Sequence, residues 1–180
     1  MKHVILFFAF MAFALPTFAV VEEGDKIPHT LETLDQNGEV QSFETIKGEK
    51  GAVLVFIRSA DWCPFCQRQL LKLQDITDVV TKEHGYNIVS ISYDMSAKLK
   101  KFSDKHESPF VMLSDPQSDI IKAFGILNDS YEENSRFYGI PHPHVYIVNA
   151  DGVVEHVLNE EGYKLRPSNE KILEAITSGQ

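Results

Sequence analysis

The sequence predicts an α/β fold, a mixed central sheet with helices on both faces and a β-hairpin ahead of it. Three observations carry this expectation. Residues 52–57 (AVLVFI) and 87–93 (NIVSISY) are apolar runs rich in branched residues, the pattern of strands buried on both faces. The first run is followed by a segment whose apolar residues recur at helical spacing, the second by a short lysine-rich helix. A late pair of short runs flanks Asp151-Gly152, a two-residue hairpin turn.

The elements follow in order. Residues 31–35 and 39–43 flank Asn37-Gly38, a strong hairpin signal. After the first buried strand, Pro64 opens a helix to about residue 81. Leu70, Leu73, Ile76 or Thr77 and Val80 share one face of it, and Gln67, Arg68, Lys72 and Asp75 take the other. Residues 96–106 form a short helix, and Lys98, Lys100, Lys101 and Lys105 make its solvated face. A short strand at 110–113 precedes a helix that Pro116 opens and Gly125 ends. Residues 126–140 form a long polar loop, and 144–148 pairs with 153–158. Ser168 caps a final helix to about residue 176, with Lys171 where a complete capping box has Glu or Gln.

Residues 1–19 (MKHVILFFAFMAFALPTFA) stand apart. Lys2, the apolar run 4–15, the break at Pro16 and the small residues up to Ala19 make the three-part pattern of a secretory signal peptide. The run is shorter than the roughly 20 residues that span a bilayer. The expected organisation is therefore a signal peptide at 1–19 and a single domain at 20–180, secreted or periplasmic, where disulfides persist. The net charge of -9 leaves no basic excess to displace counterions, which excludes nucleic acid as a partner. Two cysteines are too few for a disulfide framework or a four-cysteine zinc site, and no cofactor or metal is expected.

Those two cysteines lie in Trp62-Cys63-Pro64-Phe65-Cys66, at a strand-to-helix junction. Three residues apart on a helical turn, their sulfurs can meet as a disulfide. Unpaired N–H groups at the helix start favour a thiolate, moving a thiol from ~8.5 towards neutrality. Pro64 fits a first turn, where its missing N–H costs nothing. Trp62 offers an apolar platform beside the sulfur. A structural disulfide or a zinc site that recruits His142 and His144 are the competing readings, but neither needs the strand, motif and helix in this order. The second candidate element is Gly139-Ile140-Pro141-His142-Pro143-His144, directly before a strand. A proline here can hold backbone beside the disulfide for an incoming chain, and His142 is the proton-shuttle candidate.

Together these features resemble the thioredoxin-like superfamily, and within it the redoxin, or alkyl hydroperoxide reductase/thiol-specific antioxidant, family of peroxiredoxin-like proteins. The resemblance spans about residues 24–168 through GDKIPHTLETLDQNGEV, VLVFIRSADWCPFCQRQL, LSDPQSDIIKAFGI and YGIPHPHVYIVNADGVV. It implies a thioredoxin-like fold with an N-terminal hairpin extension, an exposed attacking Cys63, a recessed resolving Cys66, and Pro143 at the cis-proline position. Two departures stand out. If Cys66 takes the peroxidatic position of the family, Cys63 occupies its Thr place, Ser59 its proline place and Pro143 the place of its peroxide-polarising Arg, with Arg58 the nearby cation. The buried acid of thioredoxin itself falls at Ile57.

The expected function is thiol–disulfide exchange: Cys63 attacks a substrate disulfide, Cys66 resolves, and Trp62, Pro64, Phe65, Pro143 and His142 contact the substrate. The alternative is a thiol peroxidase, and after it a metal or haem-pathway carrier. Partners would be a protein or small-molecule disulfide, thiol or peroxide, with an external thiol donor. Family analogy suggests a membrane reductase as that donor.

Overall fold

The computed structural model describes residues 19–162 and 164–178; the expected signal segment lies outside them except for its last residue. The centre is β3 (Gly51–Phe56), parallel to β4 (Tyr86–Ser92), which is parallel to β5 (Val111–Ser114). On the other side of β3 runs antiparallel β6 (His144–Asn149), with Val55 opposite Val145, and then β7 (Val154–Leu158). The hairpin of β1 (Thr33–Asp35) and β2 (Val40–Gln41) adds to the far edge through β5. The seven-stranded order is β2-β1-β5-β4-β3-β6-β7, a mixed sheet as expected.

Every residue of β3 is buried, because both faces of the sheet are covered. Val53, Val55 and Ile57 face a core built with α2 (Pro64–Asp78), α3 (Ser96–His106) and α5 (Asn169–Ser178), through Leu70, Leu73, Leu99, Phe102 and Ile172. Ala52, Leu54 and Phe56 face the other core, built with α1 (Phe43–Ile46) and α4 (Asp119–Ala123). There the Phe56 ring packs on Phe124 at 4.8 Å and edge-on to Tyr146 at 5.7 Å. Among the described residues no helix is long and apolar enough to cross a membrane.

Three elements differ from expectation. The second hairpin strand stops at Gln41, and α1 follows at once. The Ser42 N–H donates to Thr45 Oγ1 (2.9 Å), starting a turn that buries Phe43 and Ile46. The helix expected from Pro116 begins only at Asp119, because Ser118 is left-handed (φ 58°) and Asp115 caps the new start. Its carboxylate accepts the N–H groups of Asp119 (2.8 Å) and Ile121 (2.9 Å). Finally, α2 does not run straight to residue 81 but loosens into a π-helical turn over Val79–Glu83.

Candidate active site

The site lies at the carboxyl end of β3, where the chain must turn from the sheet into α2. A buried carboxylate holds that turn. Asp94, just past β4, accepts the Ser59 hydroxyl (2.8 Å), the Ala60 N–H (2.7 Å) and the Ser92 hydroxyl (3.0 Å). The Ser59 oxygen in turn accepts the N–H groups of Asp61 (3.0 Å) and Trp62 (3.2 Å). Burial pushes the Asp94 carboxyl above its ordinary range, against the pull of these hydrogen bonds. The residues that hold the loop are thus Ser59 and Asp94.

Cys63 is the N-cap of α2 and Pro64 its first residue. The two cysteines form a disulfide, with Cα atoms 5.3 Å apart. The Cys66 N–H also donates to Cys63 Sγ (3.3 Å), so the first sulfur is the one bonded to the helix start. Cys66 Sγ faces a different group, Arg166 Nη2 at 3.4 Å. Arg166 comes from the segment between β7 and α5, held by the buried Pro167 and by Ser168, whose hydroxyl accepts the Lys171 N–H (3.3 Å). Burial, with the nearby Arg58 charge second, lowers the Arg166 guanidinium to about 10. A cation against a cysteine sulfur favours the thiolate over the thiol.

Aromatic rings cover the same region. The Arg58 guanidinium lies over the Trp62 ring at 5.0 Å. The Trp62 indole N–H donates to the Tyr93 hydroxyl (2.9 Å), which donates to the Arg136 carbonyl (3.2 Å). Trp62 also packs on Phe137 at 5.0 Å, which ties the long loop 126–140 to the cysteine turn.

The expected residues Trp62, Cys63, Pro64, Phe65 and Cys66 therefore lie together on one turn, with Trp62 and Phe65 half-buried against the core that holds both sulfurs. Two expectations need correction. Cys63 is not exposed: it is 1% accessible and Cys66 is 0%, because both belong to that core. Pro143 is not a cis-proline, since no peptide bond among the described residues is cis. The segment before it is tied elsewhere: the His142 N–H donates to the Ile126 carbonyl (2.7 Å), and Pro141 bridges Leu127. His142 is exposed, and neither it nor Pro143 is hydrogen-bonded to the cysteine pair. Arg166, by contrast, is a site residue outside every expectation, because no motif of the cysteine region announces it. Its only cue is Arg-Pro-Ser at the start of the last helix, a basic residue anchored by a rigid helix entry.

Comparison with known proteins bears on the chemistry. The AhpC/TSA family model matches residues 23–157. Peroxiredoxin Bcp of Escherichia coli (strain K12) is 30% identical over 126 residues, 70% of this chain and 78% of that one. Chloroplastic Peroxiredoxin Q of Sedum lineare is 32% identical over 145 residues, 80% of this chain and 72% of that one. The crystal structure of Peroxidoxin BcpB from Mycobacterium tuberculosis superposes with a TM-score of 0.71, at 21% identity, over 87% of this chain and 95% of that one. The curated relatives are peroxiredoxins, which overturns thiol–disulfide exchange as the leading reading and favours peroxide reduction by a thiol. The two readings share a C-x-x-C pair at a helix start; exchange with a protein disulfide also wants an exposed attacking sulfur, and Cys63 is not one. A peroxide and a thiol reductant are the partners this kinship implies. With the family model matched over most of its length, the chain belongs to the AhpC/TSA family of peroxiredoxin-type oxidoreductases.

Proposed function

We propose that the protein reduces peroxides with Cys66 as the reacting sulfur and Cys63 as the resolving one. The observation that carries this assignment is Arg166 Nη2, 3.4 Å from Cys66 Sγ. A guanidinium there stabilises the Cys66 thiolate and can polarise the O–O bond of a peroxide, supplying the charge that Pro143 does not. The thiolate attacks one peroxide oxygen, the O–O bond breaks, and the leaving alkoxide or hydroxide takes a proton. Cys66 is then a sulfenic acid. The Cys63 thiolate attacks the Cys66 sulfur, the S–O bond breaks, and hydroxide leaves as water once protonated. The resulting disulfide accepts two electrons from an external thiol. Trp62, Pro64 and Phe65 form the apolar approach. Removal of residues 1–19 places the enzyme outside the cytosol, a reading supported by the n-region, apolar run and small-residue ending of that segment.

Trp62 is the only tryptophan, so its fluorescence reports on the adjacent disulfide. Reduced protein mixed with hydrogen peroxide by stopped flow should oxidise with a second-order rate far above that of a free thiol. Cys66→Ser should abolish that phase. Cys63→Ser should keep it and stop at a sulfenic acid that a dimedone probe labels. Fast oxidation of Cys66→Ser with a slow Cys63→Ser would reverse the assignment, and no reaction with any peroxide would end it.

A further inference from the structure

The disulfide that closes the peroxide half-reaction joins two buried residues, Cys63 and Cys66, 1% and 0% accessible, so whatever reduces it needs a route inward. Arg166 marks the nearest opening, because it touches Cys66 Sγ and also lines a cleft that stops short of the two cysteines. That cleft, of about 370 Å³, opens between α2 and the segment before α5. That volume suits a small molecule, not a folded protein. Phe65 and Leu165 give it apolar walls. Arg68, Lys72, Lys164 and Arg166 bring four cationic groups to it, against the two carboxylates of Asp75 and Glu170. In a chain of net charge -9 this is a local reversal of sign.

We infer that this cleft is the reductant site, and that it takes a low-molecular-weight thiol bearing carboxylates, of about tripeptide size. The inference rests on the peroxidase reading and names the donor for its second half. Exchange then has a defined direction. The donor thiolate attacks Cys66 Sγ, the sulfur on the Arg166 side, and the S–S bond breaks towards Cys63. Position sets that direction, since Cys66 Sγ is the sulfur that meets Arg166, and the departing Cys63 sulfur is received by the Cys66 N–H at the start of α2. A second donor thiolate attacks the donor sulfur of the mixed disulfide, the bond to Cys66 Sγ breaks, and the donor's disulfide and the Cys66 thiolate are released. Two donor thiols lose two electrons, and the two protein sulfurs gain them. The cations hold the donor carboxylates, and Arg166 faces both thiolate and sulfur.

The test uses the oxidised protein and three donors: glutathione, its diethyl ester, and reduced thioredoxin. Rates of disulfide reduction are read from Trp62 fluorescence and normalised to each small thiol's rate with a small-molecule disulfide. Glutathione should saturate and exceed its ester by about tenfold. Lys72→Gln and Arg68→Gln should each bring that ratio down several-fold, while Lys100→Gln on α3 should leave it as it is. Equal normalised rates for glutathione and its ester, or an unchanged ratio in the cleft variants, would overturn the inference. So would thioredoxin saturating at micromolar concentration while glutathione rises only linearly. Peroxide oxidation of the reduced protein is measured separately, so failure there counts against the peroxidase reading and not against the cleft.

Discussion

Arg166 stands 100 residues from the sulfur it touches. At the scale of single residues this explains what could and could not be read beforehand. Cys63, Pro64 and Cys66 are legible because their chemistry is local: one helical turn sets both the sulfur spacing and the N–H groups around it. Arg166 is not, because its place depends on how α5 packs beside α2, and no spacing rule carries that. Its contribution is measurable. Arg166→Gln should slow peroxide oxidation of Cys66 by about a hundredfold, the order expected for loss of one charge-stabilising donor. Without the cation the thiolate forms at higher alkalinity, so the rising limb of the rate–pH profile should move upwards. Arg166→Lys should recover part of the rate, since it restores the charge but not the planar fork. Resolution by Cys63 should be unaffected in both variants, as single-turnover disulfide formation from preformed sulfenic acid would show. Asp94 makes a contrasting case. Asp94→Asn replaces one accepting oxygen by a donor facing either the Ser59 hydroxyl or the Ala60 N–H and the Ser92 hydroxyl, and should cost about 1–3 kcal/mol in urea denaturation.

At the scale of elements, the strands of the centre are legible because two-sided burial demands unbroken apolar runs, which β3 and β4 supply. The one-turn α1 and the short α4 are not, since each is decided by one side chain capping a backbone group that the local pattern does not single out. The register of β3 offers a direct check. Gly51 has φ 147°, and a Cβ there would overlap the Val148 carbonyl and the Asn149 backbone across the β3–β6 pair. Gly51→Ala should therefore destabilise the protein by about 3 kcal/mol, read from the urea midpoint at unchanged slope. The entry to β6 gives a pH test. His144 stacks on Tyr146 at 5.7 Å, with its ring nitrogens against the His142 carbonyl (3.0 Å) and Asn159 (3.2 Å). Burial keeps its imidazole below the ordinary value of 6.5. Below that value the unfolded chain binds a proton that the folded chain resists, so stability should fall as pH drops through it and be unpenalised above. In His144→Gln that part of the slope should disappear, as urea midpoints at pH 7.5 and about 5 would show.

At the scale of the whole molecule, both reacting sulfurs already stand within bonding range on one turn, inside a packed core. Resolution then needs no helix to unwind. Reduced and oxidised protein should have the same far-ultraviolet circular dichroism, and amides of α2 should exchange at similar rates in the two states. Sulfenic acid on Cys66 has its partner beside it, so excess peroxide should yield disulfide and little sulfinic acid by mass spectrometry, whereas Cys63→Ser should accumulate sulfinic acid.

Gly24 donates to the Val154 carbonyl (2.8 Å), Val154 to that of Asp25 (2.8 Å), and Ile27 to that of Gly152 (2.8 Å). The first described stretch is thus clipped to the hairpin made near the end of the chain. A ribosome that has released residues 20–30 has released nothing that can yet settle, and this strip waits as loose polypeptide until residue 154 has emerged. Docking of this strip is therefore a late event in synthesis that cannot precede the emergence of β7.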